Sequence, residues 1–122
     1  MKNLIILMLV VVSLFSCARE EEVFEVTYVI EKASSNVDIQ FLNKNHLLED
    51  FYFKPQSAED LWEYKFEALQ GDILHLNAIY YDTLSGVKAS ILIGGKIYKS
   101  RETLNEPGRN VVVAGVLPFN DN

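Results

Sequence analysis

From Glu22 onward, apolar and polar residues repeat with a period of two, and this constrains the fold more than any other feature. Val26, Tyr28 and Ile30 alternate with Glu25, Thr27, Val29 and Glu31. Val37, Ile39 and Phe41 alternate with Asp38 and Gln40. Trp62, Tyr64 and Phe66 alternate with Glu63, Lys65 and Glu67. Leu74, Leu76, Ala78 and Tyr80 alternate with His75 and Asn77, and Val87, Ala89, Ile91 and Ile93 with Lys88 and Ser90. Successive strand side chains point to opposite faces, so this pattern predicts strands with one face buried and one wet.

Turn residues fall between these runs. Ser34-Ser35-Asn36 separates the first two, and Gly71-Asp72 marks a hairpin between the Trp62 and Leu74 runs. Leu84-Ser85-Gly86 closes the next turn. Gly94-Gly95 suits the positive φ values of a tight hairpin. Pro107-Gly108 precedes an apolar run over residues 111–117, which reads as a strand covered on both sides or an edge covered by a partner. One helical turn is expected at residues 56–60, with Ser57 as its cap. About seven strands at this spacing predict an all-β fold, an antiparallel immunoglobulin-like β-sandwich. A small barrel is the alternative, since strand number does not separate the two.

The N-terminus is of a different kind. Lys2 precedes an apolar run over residues 4–14, then Leu14-Phe15-Ser16-Cys17, with the single cysteine of the chain at its end. A basic start, a short apolar core and a small residue before the cut make a secretory signal. The run is shorter than the roughly 20 residues that a membrane-spanning helix needs. The arrangement resembles a bacterial lipoprotein signal, which implies cleavage before Cys17 and acylation of its thiol and new amino group, palmitate among the chains. Two acyl chains suffice for stable anchoring, at about 0.8 kcal/mol per buried methylene. The acidic run Ala18-Arg19-Glu20-Glu21-Glu22 resembles the surface-export signal of Bacteroidetes lipoproteins; alternatively it is a solvated tether. The chain thus divides into a signal peptide (1–16), a lipidated acidic tether (17–22), a sandwich domain (23–118) and a short tail (119–122). The expected location is the cell envelope: lipid-anchored in the outer membrane and exposed at the surface.

The order of strand motifs over residues 26–98 resembles the MmpS family of mycobacterial transport accessory proteins. The resembling segments are Val26-Thr27-Tyr28-Val29-Ile30, Val37-Asp38-Ile39-Gln40-Phe41 and Trp62-Glu63-Tyr64-Lys65-Phe66-Glu67-Ala68. They continue through Gly71-Asp72-Ile73-Leu74-His75-Leu76-Asn77-Ala78 to Val87-Lys88-Ala89-Ser90-Ile91-Leu92-Ile93-Gly94-Gly95-Lys96. The resemblance implies a small β-sandwich, held at a membrane by its N-terminus and working beside a large efflux transporter. The chain differs in having a cleavable signal in place of a transmembrane helix, and a domain free of cysteine.

Charge and motifs narrow the chemistry. Asp and Glu number 17 against 11 Lys and Arg, a net charge of −6. An acidic chain argues against nucleic acid, which selects clustered Lys and Arg. No nucleophile elbow, phosphate loop or zinc-hydrolase histidine pair occurs, so no catalytic residue, cofactor or metal is expected. His46 and His75 have no acidic or histidine neighbour at ligand spacing. Glu49-Asp50 and Glu59-Asp60 lack a calcium-loop pattern and read as solvated turns. Trp62, Tyr64 and Phe66 read as core rather than as a sugar-stacking platform, because they share one strand face. In Phe51-Tyr52-Phe53 and Tyr80-Tyr81 alternation turns Tyr52 and Tyr81 away from their neighbours. If both emerge on one outer face, they form a patch for a partner or ligand. Asp82-Thr83-Leu84 resembles an O-glycosylation acceptor of exported Bacteroidetes proteins, with Thr83 as the site. The expectation is a non-enzymatic, lipid-anchored protein that binds an envelope partner as an accessory of a larger machine. A glycan- or nutrient-binding lipoprotein, and an inhibitor of an envelope hydrolase acting through residues 82–87, are the alternatives.

Overall fold

A computed structural model of the chain describes residues 22–81, 86–103 and 110–118. Cys17, Thr83 and the turns expected at Leu84-Ser85 and Pro107-Gly108 lie outside the described residues. The strands are β1 (Val23–Glu31), β2 (Val37–Leu42), β3 (Leu48–Phe53), β4 (Trp62–Leu69), β5 (Ile73–Tyr80), β6 (Val87–Ile93), β7 (Lys96–Thr103) and β8 (Asn110–Val116). They make two antiparallel four-stranded sheets, β4-β1-β6-β7 and β3-β2-β5-β8, packed face to face. The protein is an all-β sandwich, with eight strands among the described residues where the sequence predicts about seven.

The core is built from the alternation itself. Tyr28, Ile30, Ile39, Leu74, Leu76, Tyr80 and Ile91 are among its fully buried residues, drawn from both sheets. An aromatic block fills one side. The Phe41 ring lies 4.7 Å from Tyr64 and 5.0 Å from Trp62, and Tyr28 lies 5.1 Å from Phe66. Trp62, Tyr64 and Phe66 therefore serve as core, and offset or tilted rings at these separations are favourable. On the central strand β1 even the outward Thr27 and Val29 are buried. Their register partners on the neighbouring strands are Lys65 and Leu92 for Thr27, and Glu63 and Ser90 for Val29.

Among the described strands, two connections are hairpins. Between β6 and β7, Gly94 and Gly95 take φ values of 59° and 80°, the geometry that glycine adopts without strain in a two-residue loop. Between β2 and β3, the Asn43 side chain accepts backbone N–H bonds from Asn45 and Leu47, and His46 takes a φ of 62°. The Gly71-Asp72 turn is not a hairpin, which corrects the sequence reading. Asp72 N donates to Leu69 O at 3.0 Å and the Asp72 carboxylate accepts from Leu69 N at 2.8 Å, so the chain does reverse. But β4 pairs with β1 and β5 with β2 and β8, so the turn crosses between sheets. A turn motif specifies reversal; which strand becomes the partner is decided by packing, and Leu74, Leu76, Phe66 and Ala68 all end in the shared core. The helical turn expected at residues 56–60 is also corrected. Those residues form a β-turn, closed by Asp60 N donating to Ser57 O. The Asp60 carboxylate takes the N–H groups of Gln56 and Ser57, and Ser57 Oγ accepts from Glu59 N. Local side-chain acceptors here satisfy the backbone in place of a helix.

Two buried phenols tie the sheets together. Tyr28 on β1 donates to Leu42 O at 2.9 Å and accepts from His75 N at 3.3 Å, both on the opposite sheet. Tyr80 on β5 bonds Thr103 Oγ1, at the end of β7, at 3.0 Å. Each satisfies a polar group that burial would otherwise penalise.

Candidate functional site

The face of interest is the outer one of the sheet β3-β2-β5-β8. Its residues follow from register, because directly opposed residues share a face. One row runs Tyr52, Asp38, Ile79, Asn110, and the next runs Asp50, Gln40, Asn77, Val112. Their chain neighbours Val37, Ile39, Ala78, Tyr80 and Val111 point inward and are buried. Asn110 donates to Asn77 Oδ1 at 3.3 Å and links the two strands across the face.

Tyr52 is 54% exposed, and the Lys54 ammonium sits 5.5 Å from its ring centroid, a cation–π geometry. Tyr81 follows β5 directly and is 73% exposed. Continuing the alternation of β5 puts it on the side opposite the buried Tyr80. Two strand spacings and two residues then separate it from Tyr52, a distance of about 12 Å. Asp38 and Ile79 lie between the two tyrosines. The arrangement is an open platform, suited to a surface that spans several side chains rather than to a small enclosed ligand.

The remaining sequence candidates fall elsewhere. His75 is half-buried on the outer side of β5. His46 Nε2 lies 3.9 Å from Asp72 Oδ1, a partner invisible to sequence spacing because the two are far apart in the chain. Glu49 accepts from Asn43 Nδ2 at 3.0 Å, and Asp60 is committed to its turn. Among the described residues no group of three or more His, Cys, Asp or Glu is placed to hold a metal ion.

Sequence reasoning missed the edges of the sandwich. β8 is an edge strand, yet its carbonyls are capped: Tyr98 Oη donates to Val116 O at 3.0 Å and Lys99 Nζ to Ala114 O at 2.8 Å. The cap fits because Gly115 has no side chain; a Cβ there would lie 3.1 Å from Tyr98 Oη and 3.3 Å from Lys99 Nζ. Val111, Val113 and Leu117 point inward while Val116 is exposed. The apolar run of residues 111–117 thus belongs to an edge covered by the protein's own β7. β3 is the other edge of this sheet, and it is open. Leu48, Phe51 and Tyr52 on it are exposed, with Leu47 and Leu61 close by in the chain. β3 is the strand the sequence reading does not count: Leu48–Phe53 has no period-two pattern, and Glu49-Asp50, expected in a turn, lies within it.

No family model matches the chain, and no curated protein matches it. The resemblance to the MmpS family rests on the residue pattern alone.

Proposed function

We propose that the protein is a lipid-anchored, non-enzymatic sandwich of the cell envelope that serves as a binding or assembly accessory of a larger envelope machine, such as a transporter. The observation that carries the reading is the lone Cys17 behind a basic, apolar leader and ahead of an acidic tether. Acyl chains there would hold the domain at the membrane, and the mature chain keeps no thiol for other work. The open platform around Tyr52 and Tyr81 supports a protein partner, since flat, aromatic-bearing surfaces suit macromolecular contacts better than enclosed chemistry. An outer-membrane, surface-facing placement accords with the acidic residues after Cys17. Thr83 is the proposed O-glycan acceptor.

Crosslinking in intact cells, followed by affinity capture of the full-length chain, tests the role. Wild type is expected to carry a specific envelope protein with it. Replacing Tyr52 and Tyr81 together with alanine is expected to reduce that capture at least fivefold, without changing the amount of protein in the membrane fraction. Capture unaffected by the double substitution would exclude the platform as the contact.

A further inference from the structure

The open β3 edge carries a second, independent inference, which does not rest on the lipid anchor or on an envelope partner. We propose that β3 pairs with β3 of a second copy, joining two four-stranded sheets into one eight-stranded sheet about a two-fold axis.

The backbone groups of β3 point alternately toward β2 and away from it. Asn43 N donates to Leu47 O at 2.9 Å, and Leu42 is the register partner of Leu48. Hydrogen-bonded and non-bonded pairs alternate in an antiparallel ladder. The bonded pairs are therefore Phe41 with Glu49, Ile39 with Phe51, and Val37 with Phe53. Leu48, Asp50, Tyr52 and, by continuation, Lys54 point their N–H and C=O groups away from β2. No strand pairs on that side among the described residues. Pro55 lacks an N–H, but its nitrogen falls on the β2 side of the alternation and leaves the outer edge intact.

An axis perpendicular to the sheet keeps faces matched, so each residue must oppose one of the same parity. Centring the axis on Asp50 would oppose Asp50 to Asp50, and like charges directly opposite are destabilising. Centring it on Phe51 opposes Asp50 to Tyr52 and Leu48 to Lys54, with no ionic match. Centring it on Tyr52 opposes Asp50 to Lys54 twice by symmetry, and Phe51 to Phe53 on the inner side. This is the register with complementary charge, and it covers Phe51, which is 47% exposed in the single chain. An isologous contact of this kind closes on itself and does not propagate. The other edge of the sheet is obstructed over its C-terminal half, where Tyr98 and Lys99 bond Val116 O and Ala114 O of β8.

The charge pair makes the test. Full-length chains carrying two different affinity tags are coexpressed, extracted in mild detergent and captured through one tag. Wild type with wild type is expected to co-capture. Asp50→Lys with Asp50→Lys opposes lysines at both symmetry-related positions, and Lys54→Asp with Lys54→Asp opposes aspartates. Each is expected to lose at least fivefold. Asp50→Lys coexpressed with Lys54→Asp restores both ion pairs and is expected to recover wild-type capture, which also shows that each variant folds. Absence of co-capture for wild type, equal capture in all four combinations, or failure of the mixed pair to recover would overturn the proposal. Capture of a foreign protein through this edge in place of a second copy would overturn it as well.

Discussion

Tyr28 joins the two sheets through both its ring and its hydroxyl. Its ring is wholly buried, and its hydroxyl holds Leu42 O and His75 N of the facing sheet. Burial pushes its pKa up to about 12; the bond from the His75 backbone offsets this in part, and nearby Tyr64 adds to it. The unfolded phenol titrates near 10. Between about pH 10 and 12 the unfolded chain loses this proton while the folded chain keeps it, so stability falls as pH rises through that window. The contribution is complete below pH 10 and amounts to at most about 3 kcal/mol, at roughly 1.4 kcal/mol per unit. Tyr28→Phe is expected to cost about 1–2 kcal/mol at pH 8, because two part-buried backbone groups lose their partner. It is also expected to flatten the alkaline slope. Urea unfolding of both chains at pH 8 and pH 11 checks this; an equal loss for both on going to pH 11 would show that Tyr28 is not the titrating group.

At the scale of elements, the two edges of one sheet are treated in opposite ways. Unpaired strand edges invite pairing with other chains, and folds blunt them with charge or cover. β8 is blunted by donors from β7, and β3 is not. Replacing Tyr98 with Phe and Lys99 with Met removes both caps while keeping side-chain bulk. The expected cost is about 1 kcal/mol, with a gain in concentration-dependent light scattering as the β8 edge opens. Scattering equal to wild type would mean that the caps do not guard this edge. These elements also mark what the sequence makes legible. The Gly94-Gly95 hairpin is readable because positive φ at two adjacent positions has few other uses. The core faces are readable because burial imposes period two. The Gly71-Asp72 connection is misread as a hairpin because local chemistry encodes reversal, whereas sheet membership is a non-local packing outcome. The turn at Ser57 is misread because a cap and a β-turn use the same side-chain acceptors.

For the whole molecule, the described residues form a sandwich in an acidic chain, with an open edge at β3 and an aromatic-bearing outer face beside it. Tyr52 could be singled out from parity alone; the openness of its strand and the cap on β8 could not, since both depend on where distant strands end up. A tether at Cys17 would confine such bodies to a membrane surface and raise their local concentration, favouring contacts between them. The proposed role therefore depends first on the anchor. Intact mass of the full-length protein extracted from native membranes tests it directly. The account predicts a chain beginning at Cys17 and heavier by two or three acyl groups; a chain that retains Met1 and carries no fatty acid would contradict it.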